Sequence, residues 1–113
     1  MRRSPRTPKA ADAAPPPTPA AEREAGFQAA VIDLATRLRW KCYHSYDSRR
    51  DAPGFPDLTL VREGRLLFIE LKTARGRLRP AQSAWLDALT GCFLVETYVL
   101  RPADWPEIER ILA

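Results

Sequence analysis

Apolar positions recur along this chain in two periods, and the switches between them mark out its elements. Across residues 22–40, Phe27, Val31, Leu34 and Leu38 share one stripe of a 3.6-residue period, which predicts an amphipathic helix. Extended backwards, the stripe reaches Glu24 and Gln28. Residues 41–46 read as a strand, and 47–56 as a loop rich in charge, Pro and Gly. Two more strands, 57–62 and 65–72, flank a Glu63-Gly64 turn, and 73–79 form a basic loop. Pro80 suits a first helical position; the stripe that follows, Gln82, Trp85, Leu86 and Leu89, stops at Gly91. Residues 93–100 predict a fourth strand. After Pro102, Asp104 and Glu107 have the spacing of a capping box for a last short helix that buries Trp105, Ile108, Ile111 and Leu112.

The order α-β-β-β-α-β-α places the chain in the α/β class, with a mixed sheet and helices packed on it. In the third strand Leu66 and Phe68 point to one face while Leu67, Ile69 and Leu71 point to the other. Such a strand is covered on both faces and lies centrally. Three charges interrupt this apolar region. Glu70 and Lys72 share a strand face, since side chains alternate. A two-residue turn at Glu63-Gly64 pairs Arg62 with Arg65 and, counting back along both strands, Asp57 with Glu70. A three-residue loop would put the two acids on opposite faces, so the pairing needs an even-length turn, and Glu-Gly is a weaker turn signal than Asn-Gly.

Two carboxylates directly opposed across a ladder are destabilising unless a cation lies between them. Hard oxygen donors suit Mg²⁺ or Mn²⁺, which bridge readily to phosphate oxygens. Lys72, two residues on, then sits at the edge of such a site, able to orient an attacking water and neutralise charge developing on phosphorus. The plainer alternative, a turn-capping Asp57 and a surface ion pair of Glu70 with Lys72, fits an edge strand, and this strand is apolar on both faces.

Pro56-Asp57 followed by Glu70-Leu71-Lys72 resembles the PD-(D/E)xK nuclease motif. With G-F-P-D-L, F-I-E-L-K and the downstream Gln82, the chain is similar to the VRR-NUC branch in particular, from "EAGFQAAVIDLATRLRW" to "LRPADWPEIERIL", as in stand-alone, phage-type members. The resemblance implies a restriction-endonuclease-like core that hydrolyses DNA phosphodiesters with Mg²⁺ or Mn²⁺, often at branched structures such as Holliday junctions or flaps, and frequently as a homodimer. It implies Asp57 and Glu70 as metal ligands and Lys72 as the catalytic lysine. It also implies Glu24 as the helix-one carboxylate, a further ligand to the metal or its water, although Glu22 lies close by. The helix stripe independently favours Glu24, whose plainer role is to complement the helix dipole. Gln82 matches the family's glutamine after the lysine and would face the sheet near the site; its plainer role is a helix-start hydrogen bond.

Arg75, Arg77 and Arg79 follow Lys72 with no acid between them, a cluster suited to phosphate contacts, or else a solvated loop. Arg49 and Arg50, in the loop leading to Asp57, carry the same two readings. His44 sits mid-strand between Tyr43 and Ser45 and reads as structural rather than as a general base. Trp40, Trp85 and Trp105 fall on core stripes.

Charge and composition refine this. The net charge of +4 is concentrated in residues 1–21, where Arg2, Arg3, Arg6 and Lys9 face only Asp12 among six of the eleven prolines. This predicts a disordered basic Pro/Ala-rich tail ahead of a nuclease-like domain over 22–113. The body is nearly neutral, so any case for nucleic acid rests on local clusters. Cys42 and Cys92 lack metal or disulfide-framework spacing, and no apolar run reaches membrane-span length. A soluble, cytoplasmic protein of a bacterial or phage-infected cell is the expectation. Two rivals stay open: a nucleic-acid-binding or assembly module on the same core, and a sequence-specific restriction-type enzyme.

Overall fold

Glu63 and Gly64 both adopt positive φ, 50° and 83°, the combination a two-residue type I′ hairpin requires. In this computed structural model, which describes residues 24–45 and 52–113 apart from the Glu24 side chain, that turn joins β2 (Leu58–Arg62) to β3 (Arg65–Leu71). The register runs from Arg62 opposite Arg65 to Leu58 opposite Ile69. It is the even-turn register, and its next pair outward is Asp57 with Glu70.

Strand β1 (Lys41–His44) lies antiparallel on β2, and β4 (Val95–Leu100) lies parallel on β3, giving a four-stranded mixed sheet in the order β1-β2-β3-β4. Helix α1 (Glu24–Arg37) precedes β1, α2 (Pro80–Thr90) makes the crossover between β3 and β4, and α3 (Trp105–Leu112) ends the chain after a 3-10 turn at Pro102–Asp104. The order is the α-β-β-β-α-β-α predicted from the apolar periods.

Leu58, Leu60, Leu67, Ile69 and Leu71 are fully buried on one sheet face against Phe27 and Val31 of α1 and Ile108 and Leu112 of α3. Leu66 and Phe68 on the other face are half-buried. There Phe55 meets both Phe68 and Trp85 of α2 edge-on, with ring centroids 5.8 and 5.0 Å apart. Strand β3 is thus central, and α2 with Phe55 covers the face that carries Glu70. At the far end of the sheet, Arg62 and Arg65 lie over the Trp40 ring and donate to the last carbonyls of α3, at Leu112 and Ile111. Arg65 also grips Glu96 through two bonds of 2.8 and 2.7 Å.

Strand β1 ends at His44, β2 begins at Leu58 and β3 ends at Leu71, each within two residues of the expected bound, and three further expectations change for identifiable reasons. Helix α1 stops at Arg37 rather than running on to Trp40: Trp40 N–H donates to Ala35 O at 2.9 Å and Arg39 N–H to Thr36 O at 3.0 Å, a Schellman motif with Arg39 at φ 73°. No glycine announces it. Arg39→Gly is expected to stabilise the fold by about 1 kcal/mol, because a Cβ in the left-handed region costs about that much; a higher denaturant midpoint at unchanged slope would show it. Strand β4 begins at Val95, not Phe93, because its partner β3 begins only at Arg65; Phe93 and Leu94 instead turn through solvent, 89% and 75% exposed. Asp104 does not cap α3. Its carboxylate reaches back to Arg101 N–H at 2.8 Å, and Glu107 pairs with Arg110.

Candidate active site

Asp57 stands one residue ahead of β2, and the loop that delivers it is fixed from two sides. Gly54 has φ +83°, and a Cβ there would lie 2.4 Å from the Ala81 carbonyl carbon and 2.5 Å from its oxygen, so the loop packs directly on the first turn of α2. Pro56 is fully buried, and Phe55 is wedged between Phe68 and Trp85. Gly54→Ala meets backbone on one side and a disfavoured φ on the other. It is expected to cost about 2 kcal/mol or more, read as a fall in thermal midpoint, because backbone cannot swing away as a side chain can.

The carboxylate of Asp57 accepts the Leu71 N–H at 2.8 Å through Oδ2, and its own carbonyl accepts Ser45 N–H at 3.0 Å. That anchors it across the end of the β2–β3 ladder, beside Glu70. Glu70 is 2% exposed, a carboxylate in the protein interior. Burial first, and then the charge of Asp57, push its carboxyl up to about 7, with Lys72 pulling the other way. Lys72 Nζ stands 3.5 Å from Glu70 Oε2.

Gln82, itself buried, ties these groups together. Its Nε2 donates to Glu70 Oε2 at 2.9 Å, while its Oε1 accepts both Lys72 Nζ and Arg79 N–H at 2.8 Å. One side chain therefore bonds both the start of α2 and the acid-lysine pair. Gln82 reaches the sheet because Pro80 starts α2 just where the basic loop ends, and position 82 faces inward along with Leu86.

Asp57, Glu70, Lys72 and Gln82 are thus brought into one cluster. Glu24 is the first residue of α1, and Gln28, one turn on, pairs with His44 at 3.3 Å. Since His44 pairs with Leu58, this end of α1 lies at the same end of the sheet as Asp57. The Glu24 side chain lies outside the described part, as do Arg49, Arg50 and the 1–21 segment. Arg75, Arg77 and Arg79 are all exposed along the loop between Lys72 and α2. Trp85 is only half-buried, packed on Phe55 rather than in the main core.

Two residues that matter here fell inside stretches that carry the family resemblance but had no individual role in the sequence reading. Gly54 had a signal, the Pro53-Gly54 turn dipeptide. Arg101, whose Nη1 donates to Thr73 O and Gly76 O, both at 2.7 Å, had none, since its partners lie far back in the chain.

Chemically, the cluster presents two hard oxygen donors side by side with a cation at their edge. Among the described residues no group of three or more His, Cys, Asp or Glu gathers. A carboxylate pair is nonetheless the usual protein share of a Mg²⁺ site, which keeps several waters. The raised Glu70 carboxyl fits such a group, because a divalent ion offsets the repulsion that a buried acid pair otherwise carries.

A mixed sheet whose central strand ends in a buried acid and lysine, opposed by a second acid, is the core of a PD-(D/E)xK-type nuclease domain. The VRR-NUC domain profile matches residues 21–102, and the chain belongs to the VRR-NUC family. A solved structure described as a VRR_NUC domain protein superimposes with a TM-score of 0.61 at 23% identity, covering 78% of this chain and 84% of that one, and shares its fold. No curated protein matches. Among the described residues no helix is long and apolar enough to cross a membrane.

Proposed function

We propose that this nuclease domain is a divalent-metal-dependent DNA endonuclease, selective for branched or otherwise structured DNA, with Asp57, Glu70 and Lys72 as its reacting centre. The observation that carries this reading is the Gln82-bridged contact of a buried Glu70 with Lys72, directly beside Asp57. Structural ion pairs seldom bury a carboxylate next to a second one, since the cost of the pair falls on folding with no return.

Asp57 and Glu70 would hold Mg²⁺ or Mn²⁺, with Glu24 as a further carboxylate. When bound, the ion supplies Lewis-acid neutralisation of charge on the scissile phosphate. Lys72, held at a fixed place by Gln82, orients the attacking water and meets charge developing on phosphorus. The water oxygen forms a new bond to phosphorus as the opposite phosphorus–oxygen bond breaks, the water's proton leaves to solvent, and the departing sugar oxygen takes a proton from solvent to become a hydroxyl. Arg75, Arg77 and Arg79 grip phosphates on either side, and Arg49 and Arg50, in the segment ahead of Asp57 in sequence, are further candidates for phosphate contacts. A homodimer would give so small a domain enough surface to hold two arms of a junction.

Parallel digestion of labelled Holliday-junction, flap, single-stranded and linear duplex DNA in Mg²⁺ or Mn²⁺ tests the substrate class. Faster cutting at branch points is the expected outcome. Cutting confined to one sequence in linear duplex would overturn the structure-selective reading in favour of a restriction-type enzyme, and tight binding without any product would overturn the enzymatic one.

A further inference from the structure

Arg101 follows β4 directly, where Lys72 N–H donates to Leu100 O at 3.0 Å, so Arg101 and Lys72 leave the sheet side by side. The Nη1 of Arg101 donates to Thr73 O and to Gly76 O, each at 2.7 Å. Gly76 N–H also donates to Thr73 O, at 3.2 Å. One guanidinium nitrogen thus clasps both ends of the turn Thr73-Ala74-Arg75-Gly76. The clasp is itself anchored, since Asp104 Oδ2 accepts the Arg101 N–H at 2.8 Å.

The turn is also seated against the lysine. A Cβ at Gly76 would lie 3.0 Å from Thr73 Oγ1 and 3.5 Å from Lys72 Cδ, so the chain passes close over the stem of the Lys72 side chain. Arg75 rides on this turn, three residues from Lys72, with its side chain exposed. A cation presented on a turn that is already ordered gives up less freedom on binding than the same cation on a mobile loop. A guanidinium that satisfies two carbonyls in one turn achieves that ordering without covering the turn's outer surface.

We propose that Arg101 is a positioning residue for the DNA: it holds the 73–76 turn so that Arg75 grips a backbone phosphate at a fixed distance from the one facing Lys72. This rests on the nuclease reading above. The two substitutions should therefore act on one interaction, and a double-mutant cycle reads that directly.

The test compares wild type, Arg75→Ala, Arg101→Ala and the double variant. A labelled DNA that the wild type cuts gives the dissociation constant in EDTA, with KM and kcat in Mg²⁺. Each single change is expected to weaken binding and raise KM about five- to tenfold with kcat nearly unchanged, as loss of one phosphate contact does. The double variant is expected to fall within about twofold of the weaker single one, and the slope of log Kd against log salt to drop by about one in all three. A further drop in that slope in the double variant would mean that Arg101 contacts phosphate itself, and would overturn the positioning role. So would additive losses, or a lower thermal midpoint for Arg101→Ala with Kd and KM unchanged. Should Arg101→Ala fail to fold, Arg101→Gln, which keeps a donor without charge, enters the same cycle with the same expected non-additivity. Wild-type protein that neither binds nor cuts DNA overturns the nuclease reading along with this one; wild type that does both while the cycle is additive overturns the role of Arg101 alone.

Discussion

Lys72→Ala is expected to lower single-turnover DNA cleavage about a thousandfold, the loss typical of removing one preorganised charge-stabilising donor, while leaving the fold intact. The geometry explains why so much should hang on one amine. Lys72 Nζ is 2.8 Å from Gln82 Oε1 and 3.5 Å from Glu70 Oε2, with its side chain only 14% exposed. It is fixed before any substrate arrives, so no reorganisation is needed as charge develops on phosphorus. The same substitution removes a neighbour that pulls the Glu70 carboxyl down, so without metal protonated Glu70 should persist to higher pH in the variant. A variant that keeps a circular-dichroism spectrum and thermal midpoint close to wild type but cuts within about tenfold of it would place the charge-stabilising group elsewhere.

Glu70→Gln should be inactive and, without metal at alkaline pH, more stable than the wild type. The carboxyl of Glu70 is raised from 4.5 to about 7, first by burial and then by Asp57. Between those values the folded protein holds a proton that the unfolded chain has released, so stability falls as pH rises through this window and stays lowered above it. A shift of that size corresponds to a loss of up to about 3 kcal/mol. Glutamine has the same shape, can accept the Gln82 amide in place of Oε2, and never ionises. Denaturant unfolding of both proteins from pH 4.5 to pH 8.5 in EDTA should show the wild type losing stability with pH and the variant losing far less. Added Mg²⁺ should restore the wild type at high pH and leave the variant nearly unchanged. Parallel pH profiles in EDTA would assign the penalty to another group.

The register that opposes Asp57 to Glu70 was legible as one of two alternatives, set by whether the turn between the strands holds an even number of residues, and the turn holds two. Glu63-Gly64 is a weak signal by composition, and Leu66 to Ile69 are apolar on both faces, so the strand pattern alone does not choose the register; the positive φ of Glu63 and Gly64 does. Gln82 was legible for a related reason, since Pro80 fixes where α2 begins and hence which positions face the sheet. What stayed hidden depends on contacts distant in sequence or on backbone shape. The Schellman end of α1 uses Arg39, which carries none of the sequence signal a glycine gives. Phe93 and Leu94 look like strand residues by propensity and lose that state because no partner strand reaches them. Asp104 has the spacing of a cap for α3, but the Arg101 N–H competes for it and wins. Arg101 was invisible, because nothing local links position 101 to the carbonyls of Thr73 and Gly76.

The most direct measurement is cleavage of one end-labelled branched DNA by wild-type and Asp57→Ala proteins, side by side in Mg²⁺ and in EDTA. If the opposed carboxylates hold the metal and Lys72 works beside it, wild type cuts in Mg²⁺ alone and Asp57→Ala cuts in neither, while both still bind the DNA. Cleavage by a clean Asp57→Ala preparation, or equal cutting by the wild type in EDTA, would contradict it.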